Sequence, residues 1–489
     1  MTRIATSTTT GMLALALLAG CTVGPNYRPP TNAALKVPDS FLAAQAQPIA
    51  GEVDLARWWQ AFQDPVLVQL VDRALAANLD IEAAGARLRQ ARASLRGTRG
   101  QLFPTLGASG SVARSIGADG RTVIDPTTGQ TISTGGDTTI YRAGLDASYE
   151  VDLFGGIRRS IEAARADADA SQAALRSTQL TIASEIAFNY LDARLGQTRL
   201  RIARDNLRAQ DETVQIVGWR VQAGLVSSLD LEQARQLRAQ TAASIPSLES
   251  GLNASLNRIA VLLGEAPGAV NALMATEAVI PLAPAASDVP AAVIQRRPDV
   301  AQAERQLAAE TARIGVQTAQ LYPALRLSGT FSGSDTSVGD LLSSALGNIV
   351  GAISAPIFQG GQIRAAIEGQ RASTDASFAA YRQTVLVALE EVENALVALS
   401  AAERRERELV VAEEASRNAV TFARSQYRAG LIDFQSLLES ERSLLSAQDS
   451  RASVRAERAT ATVQLYKALG GGWQSAPEPR TVTTSSRAN

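Results

Sequence analysis

Two long segments without proline limit what this chain can fold into. Ile157–Val217 and Arg364–Ala429 contain no proline and one glycine each, Gly196 and Gly369. Each segment predicts an α-helix of about 60 residues, which extends about 90 Å at about 1.5 Å per residue. Ordinary helices have about 11 residues, so helices of this length do not pack around a single compact core.

The chain also repeats its own sequence. Gln101–Leu106 recurs as Gln320–Leu325, and Ala223–Leu225 recurs as Ala429–Leu431. After each Gly-Gly pair that precedes a long segment, the two halves keep one register over about a hundred residues. We therefore expect an internal duplication in which each copy reads helix, strand, loop, strand, very long helix, tight turn, helix.

The long helices alone leave two interpretations open. Mostly apolar or small residues recur on the first helix at alternating spacings of three and four, namely Leu200, Ala203, Leu207, Gln210, Val214, Val217 and Val221. This pattern is typical of a coiled-coil seam. The second copy is less regular, with Glu413 and Ser416 at corresponding positions. An ordinary coiled-coil rod would explain these helices as well as a membrane-attached structure would.

Segments of alternating polarity favour the membrane-attached structure. Between Thr139 and Phe154, apolar residues alternate with polar or charged ones, which predicts a strand with one apolar and one charged face. A soluble sheet could show this pattern too, but the strand is long enough to cross a bilayer, and Tyr141 and Tyr149 mark the ends of its apolar face. The other predicted strands are Thr105–Ser115, Ala324–Ser334 and Leu346–Phe358, with exposed loops at Ile116–Thr138 and Ser332–Ser344.

Four strands per chain cannot close a barrel, because the smallest membrane barrels have about eight strands. Open sheet edges are not tolerated in hydrocarbon, so several chains must share one barrel if these strands lie in the membrane. Three chains would supply twelve strands. No apolar run after Ala19 reaches the roughly 20 residues that a membrane helix needs.

The N-terminus predicts export and lipidation. An early positive charge, Arg3, precedes an apolar core from Gly11 to Ala19, and Leu18-Ala19-Gly20 leads to Cys21, the only cysteine in the chain. This arrangement resembles the bacterial lipoprotein signal, in which the cysteine is diacylated and the chain is cut before it. A plain secretory signal with an incidental cysteine is the alternative. By the same resemblance, Thr22 after the cysteine favours the outer membrane.

Composition removes the usual means of catalysis. The chain has no histidine and only two lysines, Lys36 and Lys467. With Cys21 committed to lipid, we expect no catalytic site, no metal site and no cofactor beyond that covalent lipid. The formal net charge is -1, so no global field attracts nucleic acid, and we expect no nucleic-acid partner.

Three sequence blocks resemble the TolC-like outer-membrane efflux factors, specifically the NodT branch of the lipoproteins that serve resistance-nodulation-division (RND) pumps. The blocks are Cys21–Tyr27, then Trp58–Pro65 followed by Ala74–Asn78, and Arg296–Val300 between the two halves. The resemblance implies a homotrimer whose twelve-stranded transmembrane β-barrel continues into a twelve-helix α-barrel of long coiled-coil hairpins. It also implies an exit duct that works with a periplasmic adaptor and an inner-membrane RND-type pump. The protein would be lipid-anchored in the outer membrane and would extend into the periplasm.

On this basis the chain divides into nine segments. They are a signal peptide (1–20), an N-terminal collar segment with the first helix (21–100), strands 1 and 2 (101–154), the first long hairpin (155–264), an inter-repeat collar segment (265–295), the first helix of the second copy (296–322), strands 3 and 4 (323–358), the second long hairpin (359–470) and a C-terminal tail (471–489).

The resemblance also assigns residues near the two turns. The turn residues Gly224, Leu225, Gly430 and Leu431 are expected to contact the adaptor, although a glycine there is also an ordinary helix stop.

The expected periplasmic gate comprises Asp230, Tyr427, Glu439 and Arg442. Repeated threefold, Glu439 would form an acidic ring that favours cations. Solvated faces with a local Glu439–Arg442 pair are the plainer alternative. Gln435 and Ser436 replace a leucine constriction and a second aspartate found in relatives, so the closed state would be sealed differently here.

Other residues are expected to be structural. Trp58 and Trp59 would pack in the collar, and Asp299 would cap the helix that follows Pro298. Two further function classes stay open: a structural coiled-coil lipoprotein, which would be a soluble rod without its lipid, and an envelope enzyme, which would need a carboxylate pair in a cleft.

Overall fold

A computed structural model of the chain describes residues 22–38, 41–42, 54–116, 121–124, 131–134, 137–284, 294, 296–343 and 345–474. The strands are β1 (Thr105–Ser115), β2 (Arg121–Ile124), β3 (Thr131–Thr134), β4 (Thr138–Val151), β5 (Ala324–Asp335) and β6 (Leu346–Ser354). The α-helices are α1 (Asn32–Leu35), α2 (Pro65–Ala77), α3 (Leu79–Gly100), α4 (Gly156–Gln222), α5 (Ser228–Leu262), α6 (Pro298–Ala319), α7 (Gln362–Arg428) and α8 (Phe434–Ala468). Short 3₁₀ helices cover Leu55–Phe62 and Val338–Asp340.

The two long helices match the sequence expectation closely. Helices α4 and α7 have 67 residues each, and the helices that follow them, α5 and α8, have 35 residues each. No helix within the described residues combines the length and the apolar character needed to span a membrane.

The chain forms two compact units. The first unit comprises residues 1–28, 90–168 and 305–378, and the second comprises residues 29–89, 169–304 and 379–489. Each unit is built from both halves of the chain.

The first unit contains a four-stranded antiparallel sheet in the order β1-β4-β5-β6. Its register puts Leu145 opposite Ala108 and Phe331, and Gly329 opposite Ile349. Because side chains alternate between the faces of a strand, this register places most of the large apolar residues of the four strands on one face. The opposite face carries most of the charged residues, including an Arg326–Glu150 ion pair at 3.2 Å, together with three large apolar residues, Ile140, Leu346 and Val350.

The predicted loop at Ile116–Thr138 is wrong in part. Strands β2 and β3 form an antiparallel hairpin inside it, with Arg121 opposite Thr134. The residues Thr122-Val123-Ile124 and Thr131-Ile132 are β-branched and therefore suit strands. The loop prediction rested instead on the many glycines, threonines and aspartates in this segment. The second predicted loop begins later than expected, because β5 continues to Asp335 before the short 3₁₀ helix.

The second unit has a core around two tryptophans. Trp58 and Trp59 are 0% and 1% exposed, and Trp58 stacks on Tyr466 with ring centroids 5.6 Å apart. Nearby, the Tyr190 hydroxyl donates a hydrogen bond to Asp64, whose carboxylate also caps α2 by accepting from the N–H groups of Val66 and Leu67. The expected packing role of both tryptophans is confirmed.

The block around Pro298 is structural, but Asp299 is not the cap of its helix. Asp299 lies in the first turn of α6 and binds the Arg297 guanidinium at 2.8 Å. Arg297 is buried, and it also donates to the backbone carbonyl of Ala468 at the end of α8 and pairs with Glu391 at 2.7 Å. The arginine rather than the aspartate therefore ties the inter-repeat segment to two other helices.

Candidate functional site at the hairpin turns

The two turns have the same backbone geometry. Gly224 and Gly430 adopt φ of +72° and +73°, a conformation that costs glycine little. In both turns the residue after the glycine donates its N–H five residues back, from Leu225 to Arg220 and from Leu431 to Gln426. These bonds satisfy carbonyls that the helix end would leave unpaired. The leucines point outward, 68% and 75% exposed.

Polar side chains start the helices that leave the turns. Ser227 caps α5, and the carboxylate of Asp433 accepts from the N–H of Ser436 at 2.9 Å and from its hydroxyl at 2.6 Å. The Ser436 hydroxyl bond, followed by the N–H bond, lowers the pKa of Asp433 below its ordinary value. Ser436, which departs from the family pattern, thus completes a helix cap here.

The ends of α4 and α7 are joined by Arg220 and Tyr427. Arg220 donates to the backbone carbonyl of Tyr427 at 2.7 Å, and its guanidinium lies 4.6 Å from the centre of the Tyr427 ring. A cation at this carbonyl also suits the negative end of helix α7. Sequence analysis singled out Tyr427 but missed Arg220, whose place in the last turn of α4 was the available signal.

Tyr427 is buried beneath the turns. It packs with Val217, Leu237, Phe434 and the two leucines Leu437 and Leu438 in one apolar cluster. Its hydroxyl has no hydrogen-bond partner among the described residues. Burial raises the pKa of Tyr427, and the negative charge of Asp230 raises it further, while Arg220 opposes both.

The structure therefore brings two of the four expected gate residues together. Asp230 is half-buried in the first turn of α5 and acts electrostatically on Tyr427. Glu439 is exposed on α8 and Arg442 is half-buried. No ion pair joins Glu439 to Arg442 in the described chain, so the local pair considered as an alternative does not form.

A buried carboxylate missed by sequence analysis lies two residues after Glu439. The side chain of Glu441 is 5% exposed and accepts hydrogen bonds from Arg424 of α7 at 3.0 Å and from the Thr213 hydroxyl of α4 at 3.1 Å. Burial of a charge needs such partners. The sequence feature that could have indicated its burial is its position, because Phe434, Leu437 and Glu441 follow the spacing of an apolar helix face.

A second buried acid, Glu413, occupies a position of α7 that corresponds to the coiled-coil seam of α4. Its side chain is 7% exposed and is bound by Arg417 of the same helix and by Arg451 of α8, the latter at 2.5 Å. Two arginines thus neutralise the carboxylate that interrupts the apolar seam of the second copy.

In the first unit, a buried arginine holds the residues that follow Cys21. The side chain of Arg159 is 3% exposed and donates to the carbonyls of Val23 and Gly24 and to the Asn26 side chain, at 3.1, 3.1 and 2.7 Å. Gly24 has φ +89°, and a Cβ there would lie 2.4 Å from the Cα of Gly315. Cys21 itself lies outside the described residues.

The described residues contain no group of three or more Asp, Glu, Cys or His side chains that could hold a metal ion. The charged contacts at the turns are arginine–carboxylate and arginine–carbonyl pairs, which hold helices together.

Comparison with known proteins gives one consistent result. The family model for "Outer membrane efflux protein" matches residues 70–265 and 289–471. The pyoverdine export outer membrane protein OpmQ of Pseudomonas putida is 34% identical over 86% of this chain and 88% of its own length. Nodulation protein T of Rhizobium leguminosarum bv. trifolii is 34% identical over 94% of this chain and 96% of its own length. The structure of the outer-membrane channel OprN is 35% identical, covers 93% of this chain and all of its own, and superposes with a TM-score of 0.84.

Replacing Arg159 with alanine is expected to release residues 22–28. The carbonyls of Val23 and Gly24 lose charged hydrogen bonds worth about 1.5–3 kcal/mol each, so hydrogen exchange of this segment should accelerate by at least about tenfold. Exchange mass spectrometry of the full chain measures it. Arg158→Ala is the matched control, because Arg158 is 41% exposed and bonds only to Asp152. Equal exchange in both variants would contradict the assigned role.

Replacing Glu441 with glutamine is expected to loosen the turns. The change leaves the Arg424 guanidinium without its carboxylate. We expect the free energy of unfolding to fall by about 1–3 kcal/mol, which is less than for a fully buried pair because Arg424 is partly exposed. Proteolysis at residues 223–227 and thermal unfolding measure the effect. Glu439→Gln, two residues away and exposed, should change stability by less than about 0.5 kcal/mol. Identical behaviour of the two variants would argue against this role for Glu441.

Proposed function

Because the chain belongs to the outer membrane efflux protein family and resembles its NodT branch, we propose that it is the outer-membrane channel of a tripartite efflux system. It is a passive exit duct that receives substrate from an inner-membrane RND-type pump through a periplasmic adaptor. The observation that carries this function is the register of the four-stranded sheet, which places most large apolar side chains on one face and most charged side chains on the other. A wall of this kind can face lipid on one side and water on the other.

The proposed assembly is a homotrimer. Strands β1 and β6 are the edges of the sheet, and each has a partner strand on one side only within the described chain. Since lipid cannot satisfy a free edge, β1 of one copy pairs with β6 of the next, and three copies close a twelve-stranded barrel. The paired helices of both halves, equal in length, supply a twelve-helix α-barrel and support internal duplication as its origin.

The anchor of the proposed channel is a lipid on Cys21. The lipoprotein-like signal supports this, and so does the Arg159 contact network, which fixes the residues directly after the cysteine. We place the protein in the outer membrane, extending into the periplasm, with no cofactor beyond this lipid and no catalytic activity.

The proposed adaptor contact is at the turns. Leu225 and Leu431 expose apolar side chains on turns that are closed by backbone hydrogen bonds to Arg220 and Gln426. Exposed leucines on such turns suit burial against a partner protein. A structural coiled-coil lipoprotein, the other class considered, leaves the apolar sheet face without an explanation, since Ile349 and Leu106 are 88% and 75% exposed.

Reconstitution into a planar bilayer tests this function. The purified protein should be a trimer that needs detergent without its lipid and gives stepwise conductance. Ile349→Arg places a charge on the apolar face, at a cost of about 2–4 kcal/mol per copy, and should abolish insertion. Asn348→Arg, on the polar face, should insert normally. A delipidated, soluble monomer without conductance would refute the proposal.

The Glu439 ring gives a separate electrical prediction. Three exposed carboxylates at a constriction favour cations, so Glu439→Gln should lower the cation-to-anion permeability ratio by about two- to fivefold. Reversal potentials in a salt gradient measure this ratio. Glu232→Gln is the control, because Glu232 is already paired with Arg235 at 2.7 Å. An unchanged reversal potential in the Glu439 variant would place the constriction elsewhere.

A further inference from the structure

The second unit contains a cavity of about 450 Å³ that the proposed channel does not use. Its walls come from residues 197–202 of α4, residues 277–280 of the segment before α6, Glu413 and Arg417 of α7, and residues 448–455 of α8. This volume is within the usual range for small-molecule sites, about 300–1,000 Å³.

Positive charge dominates the cavity lining. Four arginines, Arg201, Arg417, Arg451 and Arg455, face two glutamates, Glu277 and Glu413, which leaves a net charge of +2. Gln197, Thr198 and Gln448 add uncharged hydrogen-bonding groups to the wall. A cavity of this charge attracts an anion.

Two of the arginines retain hydrogen-bonding capacity. Arg417 and Arg451 are engaged with Glu413, but Arg201 meets Glu277 only at 3.8 Å and Asp205 only at 4.0 Å. Arg455 meets Glu406 only at 3.8 Å. These distances exceed those of a good charged hydrogen bond, so the N–H groups of Arg201 and the terminal NH₂ groups of Arg455, whose Nε–H donates to Ile280, are available to an oxygen ligand.

The charges around Arg455 also favour the binding of an anion. Burial lowers the pKa of Arg455, and the neighbouring positive charges of Arg451 and Arg458 lower it further, against the opposing effect of Glu406. An added anion would relieve this excess of positive charge.

The cavity is also preorganised. The segment that forms one wall is fastened to the helices by its backbone carbonyls: Arg194 donates to Thr276 at 2.6 Å, Gln197 to Met274 at 2.6 Å, and Arg455 to Ile280 at 3.0 Å. The Ile280 side chain is 1% exposed. Since the wall is already ordered, a ligand loses little free energy in arranging it.

We propose that this cavity binds a small dianionic oxygen ligand, a phosphate monoester or a dicarboxylate, between Arg201 and Arg455. The ligand bridges the segment at residues 277–280 to α4 and α8 and stabilises that junction. The proposal is independent of conduction through the channel.

Calorimetric titration of the full-length protein in detergent, with inorganic phosphate and with succinate at low chloride concentration, tests the site. We expect saturable binding of at least one probe and a rise in thermal unfolding temperature with it. Preference for phosphate identifies the phosphate monoester class, and preference for succinate identifies the dicarboxylate class.

Three variants separate a specific site from a general ionic effect. Arg201→Gln should weaken binding by about tenfold, because one charged hydrogen-bond donor is lost. Glu277→Gln, which raises the net charge of the cavity, should strengthen binding several-fold. Arg238→Gln is the matched control, since Arg238 is similarly exposed and pairs with Asp211 away from the cavity, and it should bind as the wild type does.

The opposite signs expected for Arg201 and Glu277 exclude a merely structural explanation, because damage to the fold would weaken binding in both variants. The proposal is overturned if neither probe binds, or if binding is the same in all three variants.

Discussion

A series of polar contacts at seven-residue spacing, called here the ladder, holds helix α4 to its neighbours. Arg199, Asn206, Thr213 and Arg220 of α4 bond in turn to Ser453 at 2.8 Å, Gln448 at 2.9 Å, Glu441 at 3.1 Å and the Tyr427 carbonyl at 2.7 Å. These residues flank the apolar seam in the way that charged positions flank a coiled-coil core. A helix of 67 residues cannot rely on one core, so it needs lateral contacts repeated along its length. The turns are positioned by the last contacts of this ladder.

The sheet is governed by a different constraint, the satisfaction of backbone hydrogen bonds. Its interior strands have a partner strand on both sides, whereas its two edge strands carry unpaired backbone groups that only another strand can satisfy in lipid. The proposed location in the membrane therefore requires the proposed assembly of several chains. A monomer could keep the long helices through their ladder and clusters, but it could not place this sheet in hydrocarbon.

Much of this organisation could be predicted because it depends on local patterns. Proline-free segments predicted the long helices to within a few residues, and alternation predicted β4, since both are properties of consecutive residues. Strands β1, β5 and β6 were predicted from their glycine- and serine-rich composition and from the internal repeat. What could not be predicted are partners distant in sequence. Arg159 bonds to residues about 135 positions earlier, and Glu441 to Thr213, 228 positions away. A sequence shows that an acid occupies an apolar position, but not which donors meet it.

The near absence of lysine and the absence of histidine also bear on how these contacts respond to pH. Of the 47 basic residues, all but Lys36 and Lys467 are arginines, whose guanidinium groups stay protonated at every ordinary pH. Among the turn contacts, the Asp433 cap has a carboxylate that responds to acid. Folding lowers the pKa of Asp433 below its value in the unfolded chain. The cap therefore stabilises the fold at pH values above the unfolded pKa, and this stabilisation is lost as the pH falls through the folded pKa. The start of α8 thus keeps this cap through the neutral and alkaline range and loses it only in acid.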